Sequence, residues 1–276
     1  MEILEELKHG WGVQRKDTES IKKKALECYK DADYKNVIEL CSKLNWQEEA
    51  FDSELGYALC YSIWHEPGND LESMETAQKC VEYYDDPKFK EICSLAQENW
   101  ALESLKSAKN LDSAIEFEQK VQEDVIVYYE SALTWQHNNE DLKKRIKKRL
   151  LEAYDTIGEK YYNVSISYAD NWKERSDKQQ YASWAIPWYK QAENTERVRT
   201  LENIVRELDA QIMKDNAKFG KPINEFPDAS GFCNKLIKFG YTTLGDFLKA
   251  SDAELDRIPG IASKRMNEIK AFRDKF

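Results

Sequence analysis

The chain has 276 residues, enough for two domains, and its composition of 41% hydrophobic and 12% aromatic residues excludes a wholly disordered protein. Charged residues make up 33% of the chain, the formal net charge is −10, and no stretch approaches the roughly 18 apolar residues that a membrane span requires. The acidic start of the chain is unlike a secretory signal, so we expect an intracellular, cytoplasmic protein with no membrane contact, and leave association with a nucleoid or a nucleus open.

Charge is distributed unevenly along the chain. Residues 221–276 contain ten Lys and Arg against eight Asp and Glu, a net of +2, whereas the 220 residues before them carry −12. An acidic body repels nucleic-acid phosphates over about a Debye length. Any contact with nucleic acid should therefore be confined to the C-terminal segment.

The residues that carry chemistry in enzymes and metal sites are scattered. The six cysteines lie far apart among apolar neighbours, with no C-x-x-C pair and no histidines at ligand spacing, so we interpret them as buried free thiols. The sequence has no Gly-rich phosphate loop, no H-E-x-x-H and no G-x-S-x-G. We expect no enzymatic activity, no metal site and no cofactor.

Most of the chain alternates amphipathic helical patterns with short breaks and shows almost no strand signals, which predicts an all-α protein. The later helices are expected over residues 95–109, 111–135, 142–162, 176–192 and 195–214. A stretch with Gly, two Pro and no periodicity, residues 214–228, predicts a linker between a helical domain, 1–213, and a small domain, 229–276.

The segment 21–44 predicts two helices joined by a tight turn, with a small residue where the helices approach, three turn residues and a buried stripe. These are Ala25, then Ala32, Asp33 and Tyr34, and then Val37, Cys41 and Leu44. They resemble a tetratricopeptide repeat, and a weaker second unit follows in residues 55–81. The resemblance implies a divergent helical-repeat solenoid that binds a protein or peptide.

Four large aromatic residues occur at helical spacing near the end of the helical region: Tyr181, Trp184, Trp188 and Tyr189. Such rings commonly fill the core between paired helices, and they can also line a groove for a partner peptide. Both interpretations stay open, and these four residues form the candidate partner-binding surface.

The densest basic cluster is the run 143–149. Leu142, Ile146 and Leu150 recur at a spacing of four, so the six basic residues fall on the remaining, solvated face of a helix. We interpret the run as a solvated helix face whose positive charges are balanced by neighbouring acidic residues. The alternatives are a phosphate-facing patch and a nuclear-import signal.

Near its end the chain predicts two short helices joined by a hairpin. Ser251 and Glu254 have the spacing of a capping box that begins the first helix, and Pro259 with Gly260 ends it. The second helix is expected over residues 263–272.

The hairpin should form an anion site. It is expected to leave the backbone amides of Gly260, Ile261 and Ala262 without helical acceptors, and Lys264 and Arg265 follow at once. Amides at a helix N-terminus and adjacent cations both favour a bound anion.

The pattern of Ile258, Pro259, Gly260 and Ile261 with a basic turn resembles the helix-hairpin-helix family. Together with the upstream residues 232–248, it resembles the C-terminal domain of the bacterial RNA polymerase α subunit. That resemblance implies that DNA is gripped through the minor groove and its phosphates.

Carrying the family's contacts over implies DNA-binding roles for Asn234, the hairpin amides, Lys264 and Arg265. Two family positions differ here, because Gly231 stands where the family has an arginine and Ala262 where it has a second glycine. The expected binding is therefore weak and nonspecific.

The whole sequence thus predicts a non-enzymatic adaptor in which a helical-repeat scaffold binds a protein and a helix-hairpin-helix domain contacts DNA backbone, as in transcription-associated recruitment. The alternative is a pure protein-interaction scaffold whose small domain docks on protein rather than DNA. The departures at 231 and 262 favour the second hypothesis, and the two retained cations favour the first.

Overall fold

The structure, a computed structural model, describes residues 15–44, 51–66, 68, 70–135, 137–261 and 263–275. Over these residues it contains helices and turns but no strand, which confirms the all-α prediction. In chain order the helices are α1 (Arg15–Lys30), α2 (Tyr34–Cys41), α3 (Ser53–His65), α4 (Asp70–Tyr84), α5 (Pro87–Ala108), α6 (Ala114–Val121), α7 (Val127–Thr134), α8 (Glu140–Ser167), α9 (Arg175–Gln191), α10 (Thr195–Phe219), α11 (Cys233–Lys238), α12 (Leu244–Lys249), α13 (Asp252–Asp256) and α14 (Ser263–Arg273).

The chain divides into two compact units. The first takes the residues up to Lys160 together with Gln191–Asn194, and the second takes Tyr161–Lys190 and Thr195–Phe276. A π-helical turn, Gln122–Ile126, joins α6 to α7 in the first unit.

The first helix pair has the turn that its sequence predicts. Ala32 adopts a left-handed φ of 57°, and the side chain of Asp33 caps α2 by accepting a hydrogen bond from the backbone amide of Asn36. Four side chains expected inside the pair are fully buried: Ala25, Val37, Cys41 and Leu44. The two helices, the turn and the buried side chains predicted for segment 21–44 are therefore present.

Consecutive helices of the first unit pack on one another, α1 on α2, α2 on α3, α3 on α4 and α4 on α5. Five cysteines of the chain are buried and Cys28 is half-buried, and all six are free thiols. Cys60 and Cys80 place their Sγ atoms 3.7 Å apart within one hydrophobic cluster. Burial raises the pKa of Cys41 to about 12, which makes this thiol unreactive at neutral pH.

The basic run of α8 uses its arginines differently from its lysines. Arg145 and Arg149 both contact the carboxylate of Glu98, at 2.6 Å each, and Glu98 is only 1% exposed. The lysines pair along the outer face of the helix instead, in the pairs Lys143 with Glu140, Lys144 with Asp141 and Lys148 with Glu152. The solvated-face interpretation holds for these three lysines, whereas the two arginines anchor α8 to α5.

Replacing Glu98 with Gln should lower the free energy of unfolding by about 1–3 kcal/mol, because the buried group loses charge-assisted bonds from two arginines. Chemical denaturation of the full chain measures this. Glu103 pairs with Lys106 at the exposed surface of the same helix, so Glu103→Gln is the matched control and should change stability by less than about 0.5 kcal/mol. Equal effects of the two substitutions would contradict the anchoring role.

In the second unit, the segment expected to be a linker is structured. Helix α10 continues through Lys214 to Phe219, and two 3-10 turns, Ile223–Glu225 and Pro227–Ala229, follow it. Phe219, Ile223 and Ala229 are all buried in the same cluster as the helices after them. The segment lacks helical periodicity because its apolar residues lie in successive short turns instead of one helix. These turns place the apolar side chains in a buried core.

That core combines aliphatic side chains with a group of aromatic rings. Phe232, Phe247 and Phe272 are buried, with ring centroids 5.8–6.0 Å apart, a separation typical of favourable aromatic pairs. Arg273 pairs with Asp252 at 2.7 Å and donates to the carbonyl oxygens of Phe247 and Ala250. The last helix is thereby fixed to α12 and to the start of α13.

Candidate functional site

The predicted capping box is present at the start of α13. The backbone amide of Ser251 donates to Glu254 Oε2 at 2.7 Å, and the amide of Glu254 donates to Ser251 Oγ at 3.2 Å. The bond from the Ser251 amide, together with one from the Ser251 hydroxyl to the same oxygen at 2.8 Å, holds the pKa of the Glu254 carboxyl below its usual value, so it is charged at neutral pH. The capping box fixes where the hairpin begins.

The hairpin itself depends on Gly260. Its φ is 84°, a left-handed conformation that a residue with a side chain adopts only with strain. This turn lets Ile258 and Ile261 both point inward, where each is 4% exposed. Pro259 and Gly260 stay at the surface.

The structure corrects one part of the predicted anion site. The amide of Ile261 was expected to be free, but it donates to the carbonyl oxygen of Ile258 at 3.0 Å and so closes the turn. Among the described residues the amide of Gly260 has no acceptor. Ala262 and the side chain of Lys264 lie outside what the structure describes.

A cation that sequence reasoning missed lies on the hairpin. Lys235, in α11, donates from Nζ to the carbonyl oxygen of Gly260 at 2.6 Å. Asn234, a predicted DNA contact, directly precedes it in α11 and is exposed. The sequence carries only a weak signal for this contact, because Lys235 is one of many lysines until the fold is known.

Arg265 lies against Gly231. Its guanidinium Nη1 occupies the space that a Cβ atom at position 231 would fill, and it pairs with Glu268 Oε2 at 3.0 Å. The absence of a side chain at position 231 thus makes room for the arginine at position 265.

The cations of this region divide into paired and unpaired ones. Lys270 and Lys275 form ion pairs with Asp252 and Asp228, respectively. Lys238 and Arg257 are exposed and make no ion pair with any described residue. Unpaired positive charge therefore lies on α11 and within the hairpin.

The four predicted partner-binding aromatics do not form one exposed surface. Tyr189 is completely buried, so it belongs to the core and cannot contact a partner, and Trp188 is half-buried. Trp184 is 39% exposed and packs edge-on against Tyr181, with centroids 5.1 Å apart. Trp184 and Tyr189 lie on different faces of the helix. Their spacing in the sequence could not show which face is buried and which is exposed to solvent.

Two further rings pack around Trp184 and Tyr181: Tyr161, which is buried, and Tyr168, which is half-buried. Tyr161 lies 5.8 Å from Trp184, and Tyr168 stacks on Tyr181 at 5.7 Å. All four of these rings belong to the second unit, which also contains the hairpin.

Comparisons with protein-family models, curated proteins and solved structures find no match for this chain. No helix in the described part of the chain has the length and apolar character needed to cross a membrane. Within the same residues, no three His, Cys, Asp or Glu side chains are grouped so that they could hold a metal ion.

Gly260→Ala should destabilise the chain more than Gly240→Ala. Both glycines have a left-handed φ, 84° and 93°, so each substitution costs about 1–2 kcal/mol of backbone strain. A Cβ at position 260 would also lie 2.5 Å from Lys235 Nζ, whereas a Cβ at position 240 meets nothing within 4 Å. Losing the Lys235 bond adds about 0.5–1.5 kcal/mol, measured as the difference between the two variants in chemical denaturation. Identical losses would show that Lys235 contributes nothing to the hairpin.

The difference in burial between Tyr189 and Trp184 can be tested by substituting each residue. Tyr189→Ala should lower the free energy of unfolding by about 3–5 kcal/mol, since it empties a core position. Trp184→Ala should cost no more than about 2 kcal/mol, because much of the ring is already in water. Thermal or chemical unfolding of both variants tests this, and an equally large loss at position 184 would return Trp184 to the core.

Proposed function

We propose that this protein is a non-enzymatic adaptor whose second unit contacts DNA backbone through a helix-hairpin-helix element and whose helical scaffold binds a protein. The helices α13 and α14 with the turn between them would form that element. The capping box, the left-handed Gly260 and the two inward isoleucines support this interpretation of the hairpin.

The observation that carries the DNA proposal is the position of Lys235. Its ammonium group lies on the carbonyl of Gly260, and the amide of the same glycine has no acceptor among the described residues. A phosphate oxygen bound at that amide would therefore lie close to a positive charge from α11. Backbone amides and lysines are common phosphate ligands in protein–DNA interfaces, and they position the protein without reading sequence.

Arg265 supplies the second charge. Its guanidinium rests on Gly231, at the place from which the arginine of the resembled family would extend. Glu268 takes part of its hydrogen-bonding capacity, and the pair is exposed, so a phosphate must compete with that carboxylate. The amide of Ile261 already donates within the turn and is not available to a phosphate. DNA binding should therefore be weak, with a Kd on the order of 10⁻⁴–10⁻⁶ M as for nonspecific complexes.

The protein-binding half of the proposal rests on the first helix pair and on the ring cluster around Trp184. The turn at Ala32 and Asp33 and the buried stripe after it fit a tetratricopeptide-like repeat, an architecture whose stacked helices form binding surfaces. Trp184 offers an exposed aromatic anchor of the kind that dominates many interfaces.

Removing Arg265 should weaken duplex binding and its salt dependence together. In the full chain, Arg265→Ala should lower the slope of log K against log salt by about 0.9, because one fewer counterion is released. The full chain is needed, because Phe219 belongs to the same buried cluster as the hairpin and a fragment starting at residue 221 would lack it. Fluorescence anisotropy with a short duplex at several salt concentrations measures the slope.

The matched control is Lys214→Ala, which removes an exposed positive charge from α10 and should leave the slope unchanged. If the wild-type chain shows no salt-dependent duplex binding even at low ionic strength, the DNA proposal fails. The small helical element would then be a protein-docking module.

A further inference from the structure

A cleft of about 300 Å³ lies within the second unit, away from the residues assigned to the hairpin. Its wall includes the turn before α9, the end of α10 and the start of α12. The residues used below are Trp172, Lys173, Asn216, Phe219, Thr243 and Lys249. The volume is at the small end of the range for ligand pockets.

An aromatic stack forms one wall of this cleft. The rings of Trp172 and Phe219 lie 4.4 Å apart at an interplanar angle of 25°. Phe219 is buried, whereas Trp172 is half-buried and borders the open space. The stack therefore presents an indole on a rigid support.

The turn that carries Trp172 is fixed by its own hydrogen bonds. Asn171 Oδ1 accepts from the amides of Lys173 and Glu174, at 2.9 and 3.2 Å, and Glu174 Oε2 accepts from the amide of Ala169 at 2.8 Å. The bond from the Ala169 amide, together with one from Asn171 Nδ2 to Glu174 Oε1 at 3.1 Å, holds the pKa of Glu174 below its usual value and keeps it charged. The indole is thus positioned before any ligand arrives.

Two lysines lie over the indole ring of Trp172. Lys173 Nζ lies 5.7 Å and Lys249 Nζ 5.8 Å from the centroid of the Trp172 ring. Both are exposed, and neither forms an ion pair with a described residue. In a chain with a net charge of −10, two unpaired cations on one aromatic ring form a local anion-attracting site.

The carboxylates that also border the cleft already have partners. Asp215 is paired with Arg175, and Asp246 accepts from Thr242 Oγ1 and from the amide of Thr243 in the cap of α12. Arg175 offsets the charge of Asp215, and the hydrogen bonds to Asp246 hold its carboxylate in the cap of α12, which leaves Lys173 and Lys249 as the cations available to a ligand.

We infer that this cleft binds an unpaired nucleotide, with the base against Trp172 and a phosphate held by Lys173 and Lys249. A nucleotide carries both groups that this wall can bind, a planar base for the indole and a phosphate a few ångströms away for the two lysines. Asn216 and Thr243 supply polar groups that could meet the edge of a base. Stacking on an aromatic ring combined with backbone cations is the general mode of single-strand recognition.

The inference deepens the proposed function, since it gives the same unit a second nucleic-acid contact, but it uses none of the hairpin residues. A base inside a duplex cannot reach such a cleft without leaving the stack. The ligand is therefore a nucleotide that is free or belongs to a single strand, and the two sources share the same chemistry.

Isothermal titration of the full chain with deoxyadenosine monophosphate and with a thymidine single strand of about twelve nucleotides tests the inference. The double variant Lys173→Ala, Lys249→Ala should weaken binding at least tenfold and lower the salt slope for the single strand by about 1.4. Trp172→Phe keeps a ring on Phe219 and should weaken binding severalfold. Lys214→Ala should bind as the wild type does.

The outcomes separate the cleft from the hairpin. Binding of the monophosphate indicates a free nucleotide and binding of the strand alone indicates single-stranded nucleic acid, and either supports the cleft if the double variant loses it. Duplex binding should be unaffected by the double variant, whereas Arg265→Ala should affect the duplex alone. If neither probe binds the wild type, or if the double variant binds as tightly, the inference is wrong whatever the duplex experiment shows.

Discussion

The left-handed backbone at Gly260 is the constraint on which the C-terminal structure depends. Because the chain reverses there, Ile258 and Ile261 both enter the core and the amide of Ile261 closes the turn onto Ile258. The carbonyl of Gly260 is turned toward Lys235, which ties α11 to the hairpin. One backbone angle therefore sets the core contacts, the position of a cation and the orientation of an amide that has no acceptor among the described residues.

Charge neutralisation within the second unit limits what that hairpin can do. Arg273 and Lys275 are committed to carboxylates, and Arg265 shares its guanidinium with Glu268. Among the described residues, Lys238 and Arg257 near the hairpin and Lys173 and Lys249 beside Trp172 keep their positive charge without an ion pair. A protein built in this way should contact few phosphates, hold them weakly and depend strongly on salt.

Sequence reasoning succeeded where structure is determined by neighbouring residues. The turn at Ala32 and the capping box at Ser251 follow from residues within four positions of each other, and both are present. The all-α class follows from periodicity, which is also local. Helix α14 begins at the expected residue because the hairpin before it leaves little choice.

Sequence reasoning failed where contacts join distant parts of the chain. Segment 214–228 was interpreted as a linker because it lacks periodicity, yet Phe219 and Ile223 are buried against helices that lie later in the sequence. Tyr189 and Trp184 share a helix and a residue class, and only the packing of their neighbours decides that one is buried and the other exposed. Likewise, nothing near Lys235 in the sequence marks its contact with a carbonyl 25 residues away.

The central claim, that a phosphate binds at the hairpin, can be tested most directly by recording amide chemical shifts of the full chain while a short DNA duplex is added at low salt. The account predicts that the largest changes occur at Gly260, Lys235 and Arg265, and that they reverse as salt is raised. Shift changes confined to residues around Trp184, or no salt-dependent change at Gly260, would contradict it.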